Sequence, residues 1–305
     1  RGTNGMISGS PVLVDIRSED DFDKYRGQLA GKVVVTPVTS EPSLNMNPSG
    51  SRLTEEELEG VWQLPAVRPP SYGNVSAGSA SDYAARRAFA ASLNQFYEEE
   101  GVAAVLSPSG TFGTVRSGGS RLQPGQEPGV SRISLTFEHY GRIVRLLEAG
   151  IDVSLDVEVQ VRMLEEDMMG YNVMAEIPGT DRRIGDEVVL IGGHLDSWHV
   201  GTGGNDNASG VVVMMEAIRI LKALGVEPRR TVRIGLWGGE EQGLFGSRGY
   251  VSEHYYDRET GPKPDYDKLS AYLNVDNGSG MIRGIWLMGN DAARPLFEDL
   301  FEPFH

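Results

Sequence analysis

Past residue 171 the chain alternates between two hydrophobic periods, and that alternation leaves few folds open. The runs Glu187–Gly192, Thr231–Trp237 and Ala271–Val275 are short and apolar, as buried strands are. Helical periodicity separates them at Ala208–Leu224 and Glu241–Val251. Tyr171–Pro178 reads as a further strand beside Glu187–Gly192, joined to it by the turn GTDRRIGD. A short strand at Ile285–Met288 and a helix from Ala292 finish the chain. Strand and helix in turn imply an α/β fold, a mostly parallel sheet sandwiched by helices.

Sites in open α/β sheets form outside the carboxyl ends of the strands. Three of these strands end in ligand-type residues. VVLIGG runs into His194 and Asp196, RIGLWGG into Glu240 and Glu241, and AYLNV into Asp276 and Asn277. A fourth contribution, Asp206, sits in a glycine-rich loop just before a helix, flanked by Asn205 and Asn207, which tolerate unusual backbone angles.

Carboxylates gathered at one sheet edge repel one another, and divalent cations relieve that. A mixed imidazole and carboxylate set suits zinc better than magnesium or calcium. The number of acids points to two ions, which in paired sites lie about 3.5–4 Å apart. One of two adjacent glutamates can bind metal while its neighbour stays free as a base, the division that hydrolysis needs. Asp196, two residues after His194, can accept the other ring N–H and fix the tautomer.

Each residue alone has an ordinary explanation. Glu240–Glu241 is a common helix-start pair, and Asp276 a common turn residue. Their shared position at strand ends is what favours metal. His139, His199 and His254 lack such placement and read as structural or surface residues, and Trp198 reads as packing. Neither H-E-x-x-H nor G-x-S-x-G occurs, and GTGGND lacks nucleotide-loop spacing.

Composition narrows the classes further. Acids outnumber bases 43 to 28, giving a net charge of −15, so nucleic acid is not an expected partner. The chain has no cysteine, which removes disulfides, cysteine-zinc sites and thiol catalysis. No apolar run approaches the ~18 residues of a membrane span. The chain starts at Arg1 with no secretory apolar segment, and that end is read as cut or processed.

Residues 1–165 read as a separate, smaller α+β unit. Val12–Ile16 and Lys32–Thr36 are expected strands around a short helix at Ser18–Tyr25. A polar, Pro- and Gly-rich segment follows over Ser40–Ser81, with a capping box at Thr54 and Glu57. Asp82–Glu100 is an expected helix and Val102–Leu106 a buried strand, followed by a Gly-rich loop at Ser107–Gly129. Glu138–Ala149 is a second helix. Ile151–Met163 alternates as a strand does. The pattern changes near Glu165, which divides the chain into 1–165 and 166–305.

GGHLDSW, GGNDNASG, WGGEEQGLFGS and NVDN, in that order, resemble the successive motifs of the di-zinc exopeptidase family that includes bacterial aminopeptidases and carboxypeptidase Q. The resemblance covers about Tyr171 to Pro303. Residues 1–165 more weakly resemble a protease-associated domain. The resemblance implies that His194, Asp206 and Asp276 bind one zinc. Asp206 would bridge to a second zinc held also by Glu241, with Glu240 as general base and Asp196 supporting His194. It makes Asp206–Asn207 a candidate cis peptide, and peptides or dipeptides the substrate, attacked by a metal-bridging hydroxide. It suggests a secreted or otherwise extracytoplasmic protein.

That family takes a further histidine for its second zinc from a later segment. His305 ends a predicted helix with no such motif around it. The chain is therefore read as a fragment cut at both ends, its second metal position short of one ligand, and as supplied it would be inactive. Two other readings compete: a non-catalytic receptor or binding protein that keeps the fold, and a single-zinc acyltransferase that cyclises N-terminal glutamine.

Overall fold

The computed structural model describes residues 1–39, 42, 46, 54–57, 77–110, 112–113, 115, 122, 125–276, 280 and 284–304. Most of Ser40–Ser81, part of Ser107–Gly129, Asn277 and His305 therefore lie outside the described residues. The chain divides into two compact units, Arg1–Leu164 with Trp286–His305, and Glu165–Ile285.

In the first unit, β1 (Ile7–Gly9), β2 (Val12–Leu13) and a 3-10 turn at Glu19–Lys24 lead to β3 (Val33–Val35). Helix α1 (Ala77–Glu99), β4 (Ala104–Pro108), β5 (Ser131–Leu135), helix α2 (Phe137–Glu148) and β6 (Leu155–Val157) follow. The expected α+β unit is built on an all-parallel sheet, ordered β2-β3-β4-β5. Strand geometry turns alternate side chains to opposite faces. Val34 accordingly packs with Phe96, Tyr97 and Val102, while Val33 and Val35 pack with Tyr140 and Val144. The capping box is present: Glu57 N–H donates to Thr54 Oγ1, and Thr54 N–H to Glu57 Oε2.

The strand expected over Ile151–Met163 shrinks to β6, Leu155–Val157, which pairs antiparallel with β1; beyond it Val159 bonds to Thr3 without continuing the ladder. β5 was not foreseen. Its SRISL alternation is short and sits directly after a glycine-rich stretch.

The second unit runs β7 (Val173–Ile177), β8 (Val188–His194), α3 (Ser209–Ala223), β9 (Thr231–Trp237) and α4 (Phe245–His254). The short antiparallel pair β10 (Tyr256–Asp257) and β11 (Gly261–Pro262) precedes β12 (Leu269–Asn274). Its sheet is ordered β12-β8-β9-β7, with parallel pairs throughout except β7, which is antiparallel to β9. α3 covers one face of β8 and β9 through Val211 and Met214 on Ile191, Ile234 and Leu236. Tyr250 of α4 packs on the other face against Val188, Leu190 and Trp237. Each such buried apolar side chain contributes about 1.5–3 kcal/mol relative to exposure.

Three expectations need correction. β7 and β8 are not neighbours, because β9 lies between them. The turn linking them spends its hydrogen bonds on the approach to β9, Thr180 N–H to Pro228 O and Asp181 N–H to Arg229 O, and so makes no hairpin. The helix expected from Glu241 begins at Phe245, after a turn that carries both glutamates. Ile285–Met288 is irregular, followed by a 3-10 turn at Asp291–Ala293 and α5 (Arg294–Phe301).

Candidate metal centre

The paired glycines before His194 are there because both faces of β8 are already taken. A Cβ at Gly192 would lie 2.7 Å from Gly235 O, 2.8 Å from Trp237 Nε1 and 3.0 Å from Tyr272 Oη. Those two rings meet across the strand: Trp237 Nε1–H donates to Tyr272 Oη at 2.7 Å, and Tyr272 donates on to Asn274 Oδ1 at 2.8 Å. A Cβ at Gly193 would lie 3.3 Å from Val275 O and 3.4 Å from Asn207 Nδ2. His194 follows as the buried last residue of the strand, 2% exposed.

From His194 the chain turns out through Leu195 and returns at Gly203, whose φ of 65° is left-handed and suits glycine. The Asp206–Asn207 peptide bond is cis. Asn207 then enters the interior at 2% exposed. Its Nδ2 donates to Val275 O at 2.8 Å, and its Oδ1 accepts from Gly210 N–H at 3.2 Å. That amide ties the loop carrying Asp206 to the residue before Asp276, so two carboxylates distant in sequence reach one place. Sequence reasoning gave Asn207 a tolerance for unusual backbone angles and a place in the candidate cis peptide, but no side-chain partners. A polar residue wedged between a strand-end acid and an apolar helix was the available signal, since a buried amide needs partners.

The outcome is a tight donor set. His194 Nε2 lies 3.0 Å from Asp206 Oδ1, 2.9 Å from Asp276 Oδ1 and 4.0 Å from Glu240 Oε2. The donor atoms of His194, Asp206 and Asp276 all fall within 4.8 Å of one another, and the Glu240 and Glu241 carboxylates lie outside that trio. Asp206 is exposed and Asp276 half-buried.

Asp196 does a different job from the one expected of it. The atom at hydrogen-bond distance from His194 Nδ1 is its backbone carbonyl, at 2.8 Å; its carboxylate is 3.7 Å away. The carboxylate instead accepts the backbone N–H groups of Glu240 (2.9 Å) and Glu241 (3.1 Å), so it fixes the glutamate turn.

Burial pulls the His194 pKa down, but the Asp196 carbonyl and the Asp276, Glu240 and Asp196 carboxylates outweigh it, and the net shift is upward. Burial raises Glu240, and Asp276 adds to it. Burial raises Glu241, and Asp206 is the acid that pushes it hardest. With Nδ1–H donated to Asp196 O, the Nε2 lone pair of a neutral His194 faces two carboxylate oxygens. Lone pairs in that arrangement need a proton or a cation between them. One imidazole and two carboxylates are a donor set that zinc accepts, so the residues fit the ion.

The other singled-out residues lie apart from this set. His139 and His199 are exposed. His254 is half-buried against Tyr250, ring centroids 4.4 Å apart. Trp198, expected to pack, is 46% exposed.

The part of the chain that carries these residues resembles known proteins. Residues 172–302 match the sequence model of peptidase family M28. Residues 172–302 belong to that family. Carboxypeptidase Q of Mus musculus is 32% identical to the chain over 173 residues, 57% of this chain and 34% of that protein. Leupeptin-inactivating enzyme 1 of Streptomyces exfoliatus is 35% identical over 136 residues, 45% of this chain and 28% of that protein. The chain thus spans about a third of the length of the curated relatives it matches.

Among solved structures, an M28 peptidase precursor from Shewanella amazonensis superposes with a TM-score of 0.52 at 22% identity, covering 97% of this chain and 58% of that one. A zinc aminopeptidase from Bacillus subtilis does so with a TM-score of 0.50 at 18% identity, covering 88% and 49%. Both share the fold. The four motif segments all lie inside the M28 domain, as does every residue of the cluster just described.

Proposed function

We propose that the protein is a zinc-dependent exopeptidase that removes residues from an end of a peptide or splits a dipeptide. The observation that carries this is the convergence of His194, Asp206 and Asp276 with a further carboxylate, Glu240, held 4.0 Å from the imidazole yet outside the trio. His194, Asp206 and Asp276 would hold one zinc, and Asp206 with Glu241 would serve a second; after burial, Asp206 is the neighbour that raises the Glu241 pKa most, which supports that sharing. Zinc, when bound, polarises a carbonyl and lowers the pKa of a neighbouring water.

The chain's own part is positional and protonic. Glu240 is half-buried with its pKa raised, as suits a group that takes a proton and returns it. Its carboxylate accepts a proton from water as the oxygen adds to the scissile carbonyl carbon. The same proton passes to the departing amine nitrogen as the C–N bond breaks. Asp196 keeps Glu240 in range through the two backbone N–H groups it accepts. We read residues 1–165 as an accessory, protease-associated-like domain and 166–305 as catalytic; the break between compact units at Leu164/Glu165 supports the first limit, while Trp286–His305 group with the first unit.

The test is Glu240→Gln in the full-length protein, assayed on small peptides with zinc measured in parallel. Retained zinc with turnover lowered about 100- to 10,000-fold is expected. Unchanged turnover would remove Glu240 from the mechanism, and a protein that holds no zinc would remove the metallopeptidase reading.

A further inference from the structure

The turn that bears Glu240 and Glu241 is held by a residue that no part of the site so far uses. Its backbone folds back on itself. Gly246 N–H donates to Gly238 O at 2.9 Å, Phe245 N–H to Gly239 O at 3.0 Å, and both Gly243 and Leu244 N–H to Glu240 O at 2.8 Å. Closing so tightly demands unusual angles. Gly239 and Gly243 adopt positive φ, which glycine allows, but Leu244 does so as well, at 62°. A branched residue does not adopt the left-handed region unaided. Something outside the turn must hold it shut.

Asn172 does this. Its Oδ1 accepts the N–H of Gly238 at 3.1 Å, where the turn leaves β9. Its Nδ2 donates to the carbonyl of Gly246 at 3.0 Å, where the turn enters α4. One planar amide thus spans the two ends of the turn with one acceptor and one donor. The space is cut to fit: a Cβ at Gly246 would collide with Asn172 Oδ1 and with Gly238 O, and one at Gly238 with Tyr171 O. Asp196 grips the tip of the turn and Asn172 its base.

We infer that Asn172 is a positioning residue for Glu240, acting through the base of the 238–246 turn rather than by touching substrate or metal. The inference rests on the reading of Glu240 as the proton carrier. Only an amide serves both ends: aspartate keeps the acceptor for Gly238 but loses the donor to Gly246, and alanine loses both. A reacting group displaced by about 1 Å costs on the order of 100-fold in rate, whereas ground-state binding of substrate need not change.

The experiment compares Asn172→Ala, Asn172→Asp and Glu240→Gln with wild type in the full-length protein, measuring kcat, KM, bound zinc and melting temperature. The expected result for Asn172→Ala is kcat lowered about 10- to 100-fold, KM within about twofold and zinc content unchanged, with Asn172→Asp between it and wild type. Wild-type kcat in both Asn172 variants overturns the inference. So does a loss of kcat in Asn172→Ala that only follows loss of zinc or of folded protein, with Asn172→Asp indistinguishable from it. Should Asn172→Ala not fold, Asn172→Asp decides by the same kcat and KM split. Wild-type turnover in Glu240→Gln would instead overturn the underlying reading of Glu240, whatever Asn172 does.

Discussion

At the end of β3, Val33–Val35 run into Thr36, and one tyrosine closes the strand. Tyr140 Oη accepts the Thr36 N–H at 2.7 Å and donates to the Thr36 carbonyl at 2.7 Å. At the end of β8 the strand runs through two glycines into His194, whose Nε2 faces two carboxylates with no proton to share among them if the imidazole is neutral. Both strands lie inside four-stranded sheets, pair parallel with both neighbours and have helices on their faces. One sheet end is filled by a neutral side chain that satisfies the backbone and leaves nothing over. The other is emptied by glycine and refilled with lone pairs. The difference teaches that the parallel sheet supplies a place but not a chemistry. What the residues at the strand end leave unsatisfied decides whether a site forms.

The comparison breaks first at His194. Removing a direct ligand should cost more than the roughly 10- to 100-fold in metal affinity seen when a supporting partner is lost. In calorimetric titration of metal-free protein with zinc, His194→Ala is therefore expected to bind more than about 100-fold more weakly. Melting of the Arg1–Leu164 unit should not move. In the wild type, zinc must displace protons from groups whose pKa values are raised, His194 and Glu241. Affinity should therefore fall as pH falls, the fall beginning above the ordinary histidine value of about 6.5 and steepening below it. An affinity independent of pH, or equal in His194→Ala, would mean these side chains hold no ion.

How much of this contrast was legible in the sequence depends on which level of structure carries it. Periodicity found β8 and β9 within a residue or two, because burial leaves a nearly unbroken apolar run, and it found β12 as closely although that edge strand is largely exposed. It singled out His194 and Asp276 because strand ends are where open sheets place ligands, and Asp206 from the glycine-rich loop before a helix; the structure brings the three together. It overstated the strand at Ile151–Met163, because alternation records a preference and not a partner. It set β7 beside β8, because adjacency in sequence says nothing about which strand edge is free. It gave Asp196 the wrong acceptor atom, since backbone carbonyls are invisible to a reading of side chains. The roles of Asn207 and Asn172 were hidden for the same reason: an asparagine's value here lies in the backbone groups it reaches.

Next in size is the glycine that makes room for Asn207. A methyl at Gly210 would collide with Asn207 Oδ1 and the Val275 carbonyl, neither of which has space to yield. Gly210→Ala should destabilise the second unit by about 1–3 kcal/mol through overpacking and weaken zinc binding with it. At the closed end of the other sheet, Tyr140→Phe leaves the Thr36 N–H and carbonyl without their partner. Such a loss costs about 1–3 kcal/mol, and the lower end is expected because Thr36 is partly open to water. Thermal melts of the two variants with zinc titrations sharpen the contrast: both lose stability, only Gly210→Ala loses metal. Reduced zinc affinity in Tyr140→Phe would show that the two sheet ends are not independent.

The smallest effect separates the units by the source of their electrostatics. Asp21 in the first unit has its pKa lowered to about 2, first by Lys24 and then by the N–H groups of Arg17 and Ser18. Asp257 in the second is held well below the usual carboxylate range by the Ser252 hydroxyl and by Thr260 and Glu259. A carboxylate whose folded pKa is depressed adds stability in full above its unfolded value, about 3.9, and loses it as pH falls through the folded one. Asp21→Asn and Asp257→Asn should thus both be less stable than wild type at neutral pH. The Asp21 gap should close between about pH 4 and pH 2. Salt then tells them apart, because salt weakens an ion pair whose lysine is in water whereas hydrogen bonds from neutral donors are little affected. Acid unfolding followed at low and at about 1 M salt should shrink the Asp21 gap and leave that of Asp257 standing. Equal shrinkage would mean that Asp257, too, owes its low pKa to distant charge rather than to the donors around it.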